Sequence, residues 1–76
     1  MRLTGAVAAR RYAVQTIEGD DAVAQRLVAS GLWVGAVVER IAHAPFGDPL
    51  LFRVHGFRLA LRLSEAARVL VVETTS

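Results

Sequence analysis

The 76-residue sequence contains neither cysteine nor lysine. Without cysteine, a disulfide framework, a cysteine-ligated zinc site and a thiol nucleophile are excluded. Without lysine, the chain lacks Schiff-base chemistry and the Gly-Lys-Ser/Thr ending of a Walker-type phosphate loop. No sequence signature places a base beside a serine, as a nucleophilic triad would require. We therefore predict that the chain is not an enzyme.

Long apolar runs and a strong excess of one charge are also missing. No uninterrupted run approaches the ~20 apolar residues of a membrane span, and the short apolar stretch near the N-terminus is broken by Arg10 and Arg11. The net charge is only +2 and aromatic residues make up 7% of the chain, whereas nucleic-acid surfaces usually combine larger positive charge with interleaved aromatics. These absences predict a soluble, cytoplasmic protein that does not bind nucleic acid.

What the chain does contain is enough apolar material for a core. Hydrophobic residues make up 54% of the sequence and charged residues 21%, a balance typical of a folded domain. A domain of this size buries only about 60% of the surface of its unfolded chain, so one compact core is the limit. We predict a single domain over residues 1–76.

One amphipathic helix is predicted between Asp20 and Gly31. Asp20 or Asp21 can cap its N-terminus, because a carboxylate accepts hydrogen bonds from the free amides there. Gly31 is typical of a left-handed C-terminal stop, after which Leu32 can fold back onto Leu27. The apolar face is formed by Val23, Ala24, Leu27 and Val28.

The rest of the chain reads as short strands separated by turn residues, over residues 11–18, 35–44, 50–55, 57–62 and 68–73. In the third and fourth strands apolar residues alternate with others, which places Phe52 and Phe57 on the core face. Ser64 is predicted to cap a helical turn before the last strand. So few strands enclose a core only by curling, so the predicted fold is mainly β with one inserted helix, a small SH3-like β-barrel.

His43 and His55 are the only histidines, and a hairpin turning at residues 45–49 would bring their strands side by side. Two imidazoles on one sheet face bind a divalent transition metal if Glu39, or a residue of a second molecule, completes the shell. The competing interpretation is two solvent-facing histidines, because structural zinc usually takes four ligands. Iron or zinc is therefore a candidate ligand and not a required cofactor.

Arginines and a lone tryptophan offer candidate contact surfaces. Arg53, Arg58 and Arg62 are predicted on the non-core faces of two adjoining strands, with Arg68 as a candidate fourth member. A solvated face is the favoured interpretation of this patch, ahead of a protein partner or a nucleic-acid groove. Trp33, in the tight connection after the helix, is either a core plug or an exposed anchor for another protein, because tryptophan is enriched at interface hot spots.

Two stretches of the chain, taken in order, carry a family signature. Residues 44–50 read Ala-Pro-Phe-Gly-Asp-Pro-Leu, and residues 54–62 read Val-His-Gly-Phe-Arg-Leu-Ala-Leu-Arg, with Glu65 and Ala66 after them. Residues 26–38 add Arg-Leu, Gly-Leu and Gly-Ala-Val-Val at fixed spacing. In this order the stretches resemble the FeoA family, small cytosolic accessory proteins of bacterial ferrous iron transport. Ser30 and Val34 depart from the family's usual leucine and proline.

The resemblance implies an SH3-like fold and a non-enzymatic partner of FeoB, a membrane transporter whose cytosolic part is a GTP-binding domain. Such a partner would hold the protein at the inner membrane. We predict a contact surface at the helix exit, formed by Leu27, Leu32 and Trp33, with Arg58 and Arg62 supplying charge complementarity. The alternative is a divalent-metal sensor related to the SH3-like domain of iron-dependent repressors. An exposed edge strand or a shared metal would allow a homodimer, although nothing in the pattern requires one.

Overall fold

A computed structural model describes residues 1–41 and 47–75 of the chain. Within these residues, five strands and two α-helices follow a 3₁₀ turn at Leu3–Gly5. They are β1 (Arg11–Ile17), α1 (Ala22–Ala29), β2 (Val37–Arg40), β3 (Leu50–Val54), β4 (Phe57–Leu61), α2 (Leu63–Ala66) and β5 (Val69–Thr74).

The strands form one antiparallel sheet in the order β4-β3-β2-β1-β5. The mainly β prediction is confirmed, but the predicted closure of the barrel is wrong, since no ladder joins the edge strands β4 and β5 in the described part of the chain. The short helix α2 connects these two strands and packs against β4 and the 3₁₀ turn. Helical residues therefore occupy the opening that a closing strand ladder would fill.

The core is formed where the two helices and the 3₁₀ turn pack against the sheet. Its largest fully buried side chains are Tyr12 and Phe52, and the Tyr12 hydroxyl accepts a hydrogen bond from the Val7 amide at 2.8 Å. Smaller core side chains come from the 3₁₀ turn, both helices and every strand. The prediction that Phe57 is also in the core is wrong, because its side chain is 71% exposed. Phe57 is the first residue of β4, an edge strand that pairs on its outer side with no other strand of residues 1–41 and 47–75.

Helix α1 begins and ends as its sequence indicates. The Asp21 carboxylate accepts from the Ala24 amide at 3.1 Å, so Asp21 and not Asp20 is the capping residue. At the other end, the amide of Leu32 donates to the Leu27 carbonyl at 3.2 Å, and the amide of Gly31 donates to the Val28 carbonyl at 2.9 Å. These two bonds form a Schellman motif, which needs a left-handed residue, and Gly31 has φ +111°.

Helix α2 is capped differently from its prediction. Ser64 lies inside the helix, and the N-cap residue is Arg62, which directly precedes Leu63. The Glu65 carboxylate accepts from the Arg62 amide at 2.9 Å, and the Asp48 carboxylate accepts from the Leu63 amide at 3.1 Å. Two backbone amides at the start of α2, which have no carbonyl acceptor in the helix, thereby donate to carboxylates. The aspartate of the Gly-Asp-Pro motif thus anchors α2 to the residues before β3.

Glu65 is expected to make the domain less stable in acid. The hydrogen bond from the Arg62 amide and the ion pair with Arg26 hold the pKa of Glu65 below its ordinary value. A carboxyl whose pKa is lowered in the folded state stabilises the fold above its unfolded pKa, and this contribution is lost as pH falls through the folded pKa. The pKa values of Glu18 and Asp21 are lowered as well, by hydrogen bonds from arginines, so the sign is the same for all three.

Thermal unfolding followed by circular dichroism between about pH 6 and about pH 3 tests this expectation. The Tm of the parent should fall with pH. The Tm of Glu65→Gln should fall less, because the amide still accepts from Arg62 but does not titrate. An equally steep fall in both proteins would contradict the assignment.

Candidate partner-binding site

A groove of about 600 Å³ lies between the end of β1, one side of α1 and the loop that follows the helix. Three of its lining residues, Val28, Trp33 and Val34, are among the large hydrophobic side chains exposed to solvent. Asp20 and Gln25 are polar lining residues. The apolar part of the lining consists of Val14, Ile17, Ala24, Val28, Leu32, Trp33 and Val34. The groove is therefore a concave, mostly apolar surface that faces solvent.

Trp33 is half exposed, at 50%, so the core-plug interpretation is wrong. Its indole stacks on the imidazole of His55, with the ring centroids 4.4 Å apart and the planes inclined by 27°. His55 Nε2 in turn lies 3.0 Å from the carbonyl oxygen of Gly31. One side of Trp33 is thus held by a neighbouring ring, while the rest of the side chain is available to a partner.

The β3–β4 hairpin places His55 in this position. The register pairs Val54 with Phe57, which leaves His55 and Gly56 as a two-residue loop, and both have positive φ, +52° and +79°. Two successive residues with positive φ define a type I′ turn, whose twist matches that of a hairpin. A Cβ added to Gly31 would lie 2.9 Å from His55 Cδ2, so the close approach of the ring requires a glycine there.

Two of the predicted contact residues are not on the surface. Leu27 and Leu32 are each only 1% exposed and belong to the buried core cluster. The Schellman motif explains the error, because it turns Leu32 back toward Leu27 and so directs both side chains inward. The prediction of Leu27 and Leu32 as exposed anchors is corrected, and their place is beneath the loop that carries Trp33.

Val28 and Ile17 belong to this surface although the sequence pattern did not indicate it. Val28 was placed on the apolar face of α1, but it is exposed because it lies at the margin of that face beside the groove. Ile17, at the end of β1, lines the groove and is half-buried. The sequence did contain one signal for this surface, which is the apolar Val34 directly after Trp33.

The structure brings together part of the predicted arginine patch. Arg53 and Arg58 are directly opposite each other on β3 and β4, and both are exposed. Arg62 lies beyond the far end of β4, before α2. Arg68 is not a member of the patch, because its guanidinium donates to the Asp21 carboxylate at 2.6 Å and to the Glu18 carbonyl at 2.9 Å. These two acceptors attach Arg68 to the segment before α1.

The described residues do not form a metal site. His43 lies outside them, so the proposed pairing of His43 with His55 stays a prediction. His55 directs Nε2 toward a carbonyl oxygen and stacks its ring on Trp33. Residues 1–41 and 47–75 contain no group of three or more histidine, cysteine, aspartate or glutamate side chains that could hold a metal ion. One histidine alone does not fit the ligand number of a zinc or iron centre.

In the part of the chain that the structure describes, no helix has the length and apolar character needed to cross a bilayer.

The five-stranded antiparallel sheet, with a short helix before its last strand, defines a small SH3-like domain, and the domain carries an exposed apolar groove. The model of the FeoA domain matches residues 1–73 of the chain. The chain belongs to the FeoA family, whose members are proteins of ferrous iron transport. No curated protein sequence matches it.

Several solved structures of FeoA proteins are similar to this one. FeoA of Stenotrophomonas maltophilia, solved in complex with zinc, is 37% identical, has a TM-score of 0.83 and is matched over 95% of this chain and 89% of its own. It is described as an SH3 domain protein and a candidate activating factor of ferrous iron transport. FeoA of Chlorobium tepidum is 34% identical, with a TM-score of 0.85 over 93% of this chain and 68% of its own. The predicted SH3-like fold is thereby confirmed.

Two further similarities differ in extent. The iron(II) transport protein A of Clostridium thermocellum has a TM-score of 0.90 at 27% identity, and the match covers 99% of this chain but only 46% of that one. The manganese regulator SloR has a TM-score of 0.83 at 12% identity, over 97% of this chain and 34% of its own. At that identity the likeness to a metal-dependent regulator concerns the fold alone.

Proposed function

We propose that this chain is a non-enzymatic accessory protein of ferrous iron uptake. In this proposal it acts in the cytoplasm and binds the cytosolic, GTP-binding part of a FeoB-type transporter at the membrane. Membership of the FeoA family and the description of the Stenotrophomonas relative as a candidate activating factor support a role in transport. The observation that carries the proposed contact is the half-exposed Trp33 at the edge of an apolar groove.

The surroundings of Trp33 suit it to anchor a partner. A tryptophan buries a large apolar area on binding, and such residues dominate the energetics of many interfaces. The stack on His55 and the Schellman motif at Gly31 restrict the indole before any partner arrives. A side chain that is already ordered loses less conformational entropy on association, so more of the burial energy appears as affinity.

Charge should assist the approach of the partner. Arg58 follows the hairpin turn that carries His55, and Arg62 lies at the other end of the same strand. Exposed charges at the rim of an interface mainly raise the association rate and do so less as salt screens them. We propose that Arg58 and Arg62 act in this way, while Trp33 and the groove provide most of the affinity.

Replacing Trp33 with alanine should weaken transporter binding and leave the fold intact. The side chain is half exposed, so its removal opens no closed cavity, whereas removal of an interface anchor commonly costs about tenfold or more in affinity. Isothermal titration of the parent and Trp33→Ala against the soluble GTP-binding domain of the cognate transporter, with and without nucleotide, measures the effect. Circular dichroism checks that both proteins are folded.

Val7→Ala is the matched control, because Val7 is also 50% exposed but lies before β1, away from the residues that line the groove. It should bind the transporter domain as the parent does. A folded Trp33→Ala protein with unchanged affinity would contradict the assignment of the anchor. Saturable binding by the parent is the result that the proposed function requires.

A further inference from the structure

We infer that the outer face of the sheet carries a second subsite, which binds acidic side chains of the same partner segment whose apolar residues occupy the groove. This inference rests on the proposed function and adds to it the chemistry of the partner. The subsite is centred on the cross-strand pair Arg53 and Arg58. Arg11 lies two strands away from Arg53, on β1, and belongs to the same subsite.

Strand register aligns four charged residues in one row across the sheet. Arg58 on β4 is opposite Arg53 on β3, Arg53 is opposite Glu39 on β2, and Glu39 is opposite Arg11 on β1. Residues directly opposite on antiparallel strands have Cβ atoms about 4.5–5.5 Å apart, and like charges in such a pair destabilise the sheet. The row holds three positive charges and one negative charge, and the adjacent like charges of Arg53 and Arg58 repel each other.

The three arginines of this row differ from four other arginines of the chain, because they form no ion pair within residues 1–41 and 47–75. Arg2, Arg10, Arg26 and Arg68 each form an ion pair with a carboxylate within the chain. None of the ion pairs among the described residues involves Arg11, Arg53 or Arg58. Their guanidinium groups are thus free to pair with carboxylates from outside, which they match in a planar, bidentate geometry.

A small depression at this row gives the carboxylates a place to bind. It has a volume of about 180 Å³ and is lined by Arg11, Val37, Glu39, Arg53 and His55. His55 also stacks on Trp33, which lines the apolar groove, so the two concave surfaces meet at this pair of rings. One extended segment can therefore lie across the stack, with apolar side chains in the groove and a carboxylate in the depression.

An acidic protein segment fits the row better than an anionic membrane surface does. The depression is concave, whereas a lipid surface is flat on this scale. A lipid surface would also have to approach Glu39, which lies between Arg53 and Arg11. A single carboxylate side chain can instead pair with Arg53 or with Arg11, on either side of Glu39, without covering the whole row. The proposed partner is thus a segment in which large apolar residues are followed or preceded closely by aspartate or glutamate.

The double variant Arg53→Gln/Arg58→Gln tests the subsite against the transporter's GTP-binding domain. Its affinity should be at least about tenfold lower than that of the parent, with a weaker dependence on salt, because a paired charge has been lost. The control is Arg10→Gln, which removes an exposed arginine that pairs with Glu73. That variant should bind within about twofold of the parent. A double variant that binds as the parent does would overturn the subsite and leave the proposed function standing.

Arg58→Glu separates binding from a purely structural role. Arg58 lies on an edge strand, where charge also discourages pairing with other chains, and glutamate would preserve that protection. Exchanging a like-charge pair for an opposite-charge pair with Arg53 should raise the Tm by about 2–5 °C. The same variant should bind the transporter domain at least as weakly as the double variant. A rise in Tm with unchanged affinity would overturn the subsite.

A probe that does not depend on the transporter distinguishes the two proposals. In NMR titrations with hexaglutamate, the side-chain Nε–H signals of Arg53 and Arg58 should shift more than that of Arg10, and added salt should reverse the shifts. Equal responses at all three would overturn the subsite. So would binding of these residues to phosphatidylglycerol vesicles without a response to hexaglutamate, which would assign the row to a lipid surface. Hexaglutamate binding without any binding to the transporter would support the acidic specificity and contradict the proposed function.

Discussion

Leu27→Ala is expected to lower the free energy of unfolding by about 2–5 kcal/mol, the usual cost of truncating a fully buried leucine. Leu27, on α1, is 1% exposed and belongs to the main core cluster. A 76-residue domain has a total stability of only roughly 4–11 kcal/mol by the usual value per residue. The variant should therefore lose a large share of the stability of the domain.

Urea denaturation of the parent, Leu27→Ala and Leu27→Met measures this cost. Methionine nearly preserves the volume and should cost less than about 1.5 kcal/mol. The same series examines the corrected sequence prediction, in which Leu27 was a contact residue. A Leu27→Ala protein with the stability of the parent but without transporter binding would restore that prediction and contradict the burial. We expect the reverse, a loss of stability with binding retained by the folded fraction.

The features that the sequence predicted well are those that local contacts determine. The bounds of α1 follow from Asp21 at one end and Gly31 at the other, and both act on amides or carbonyls within four residues of themselves. The alternation in β3 correctly placed Phe52 in the core. In each case the interaction that fixes the structure lies within the stretch whose pattern was analysed.

The errors occur where a distant segment decides the outcome. Alternation placed Phe57 on the core face, but it cannot show that β4 is an edge strand. Ser64 was a reasonable cap by residue type, yet Asp48, which lies before β3, and Glu65, within the helix, accept from the amides at the start of α2. Trp33 stacks on His55, which is 22 positions later in the chain and is brought to Trp33 by the β3–β4 turn.

The candidate site shows the same limit on a larger scale. The groove is formed by the end of β1, one side of α1 and the loop after it, and the depression by residues on three strands and the hairpin turn. Trp33 could be predicted because it is the single tryptophan of the sequence, and Arg53 and Arg58 because strand alternation places both on the outer face. The stack of Trp33 on His55, which joins the apolar surface to the charged one, could not be predicted from the sequence, since that contact depends on the tertiary fold.

Gly31→Ala should be the second strongly disruptive substitution, and it should affect stability and binding together. An alanine at φ +111° adopts a backbone conformation that L-residues rarely tolerate, at a cost of about 1–3 kcal/mol. Its Cβ would also lie 2.9 Å from His55 Cδ2, so the ring would have to move from its place beside Trp33. We expect a lower midpoint of urea denaturation and, in the protein that remains folded, weaker binding to the transporter domain.

Gly35→Ala is the matched control, because Gly35 has φ +90° but no atom of the described residues lies within 4 Å of its added Cβ. Gly35→Ala should lower the free energy of unfolding through its strained backbone alone, without displacing His55. A double-mutant cycle of Gly31→Ala with His55→Ala then isolates the close approach, since neighbouring substitutions in contact couple by about 0.5–3 kcal/mol. Alanine at position 31 should cost less stability when His55 is already truncated. Additive effects would show that the strained backbone alone explains the loss and that Gly31 does not position the ring on which Trp33 stacks.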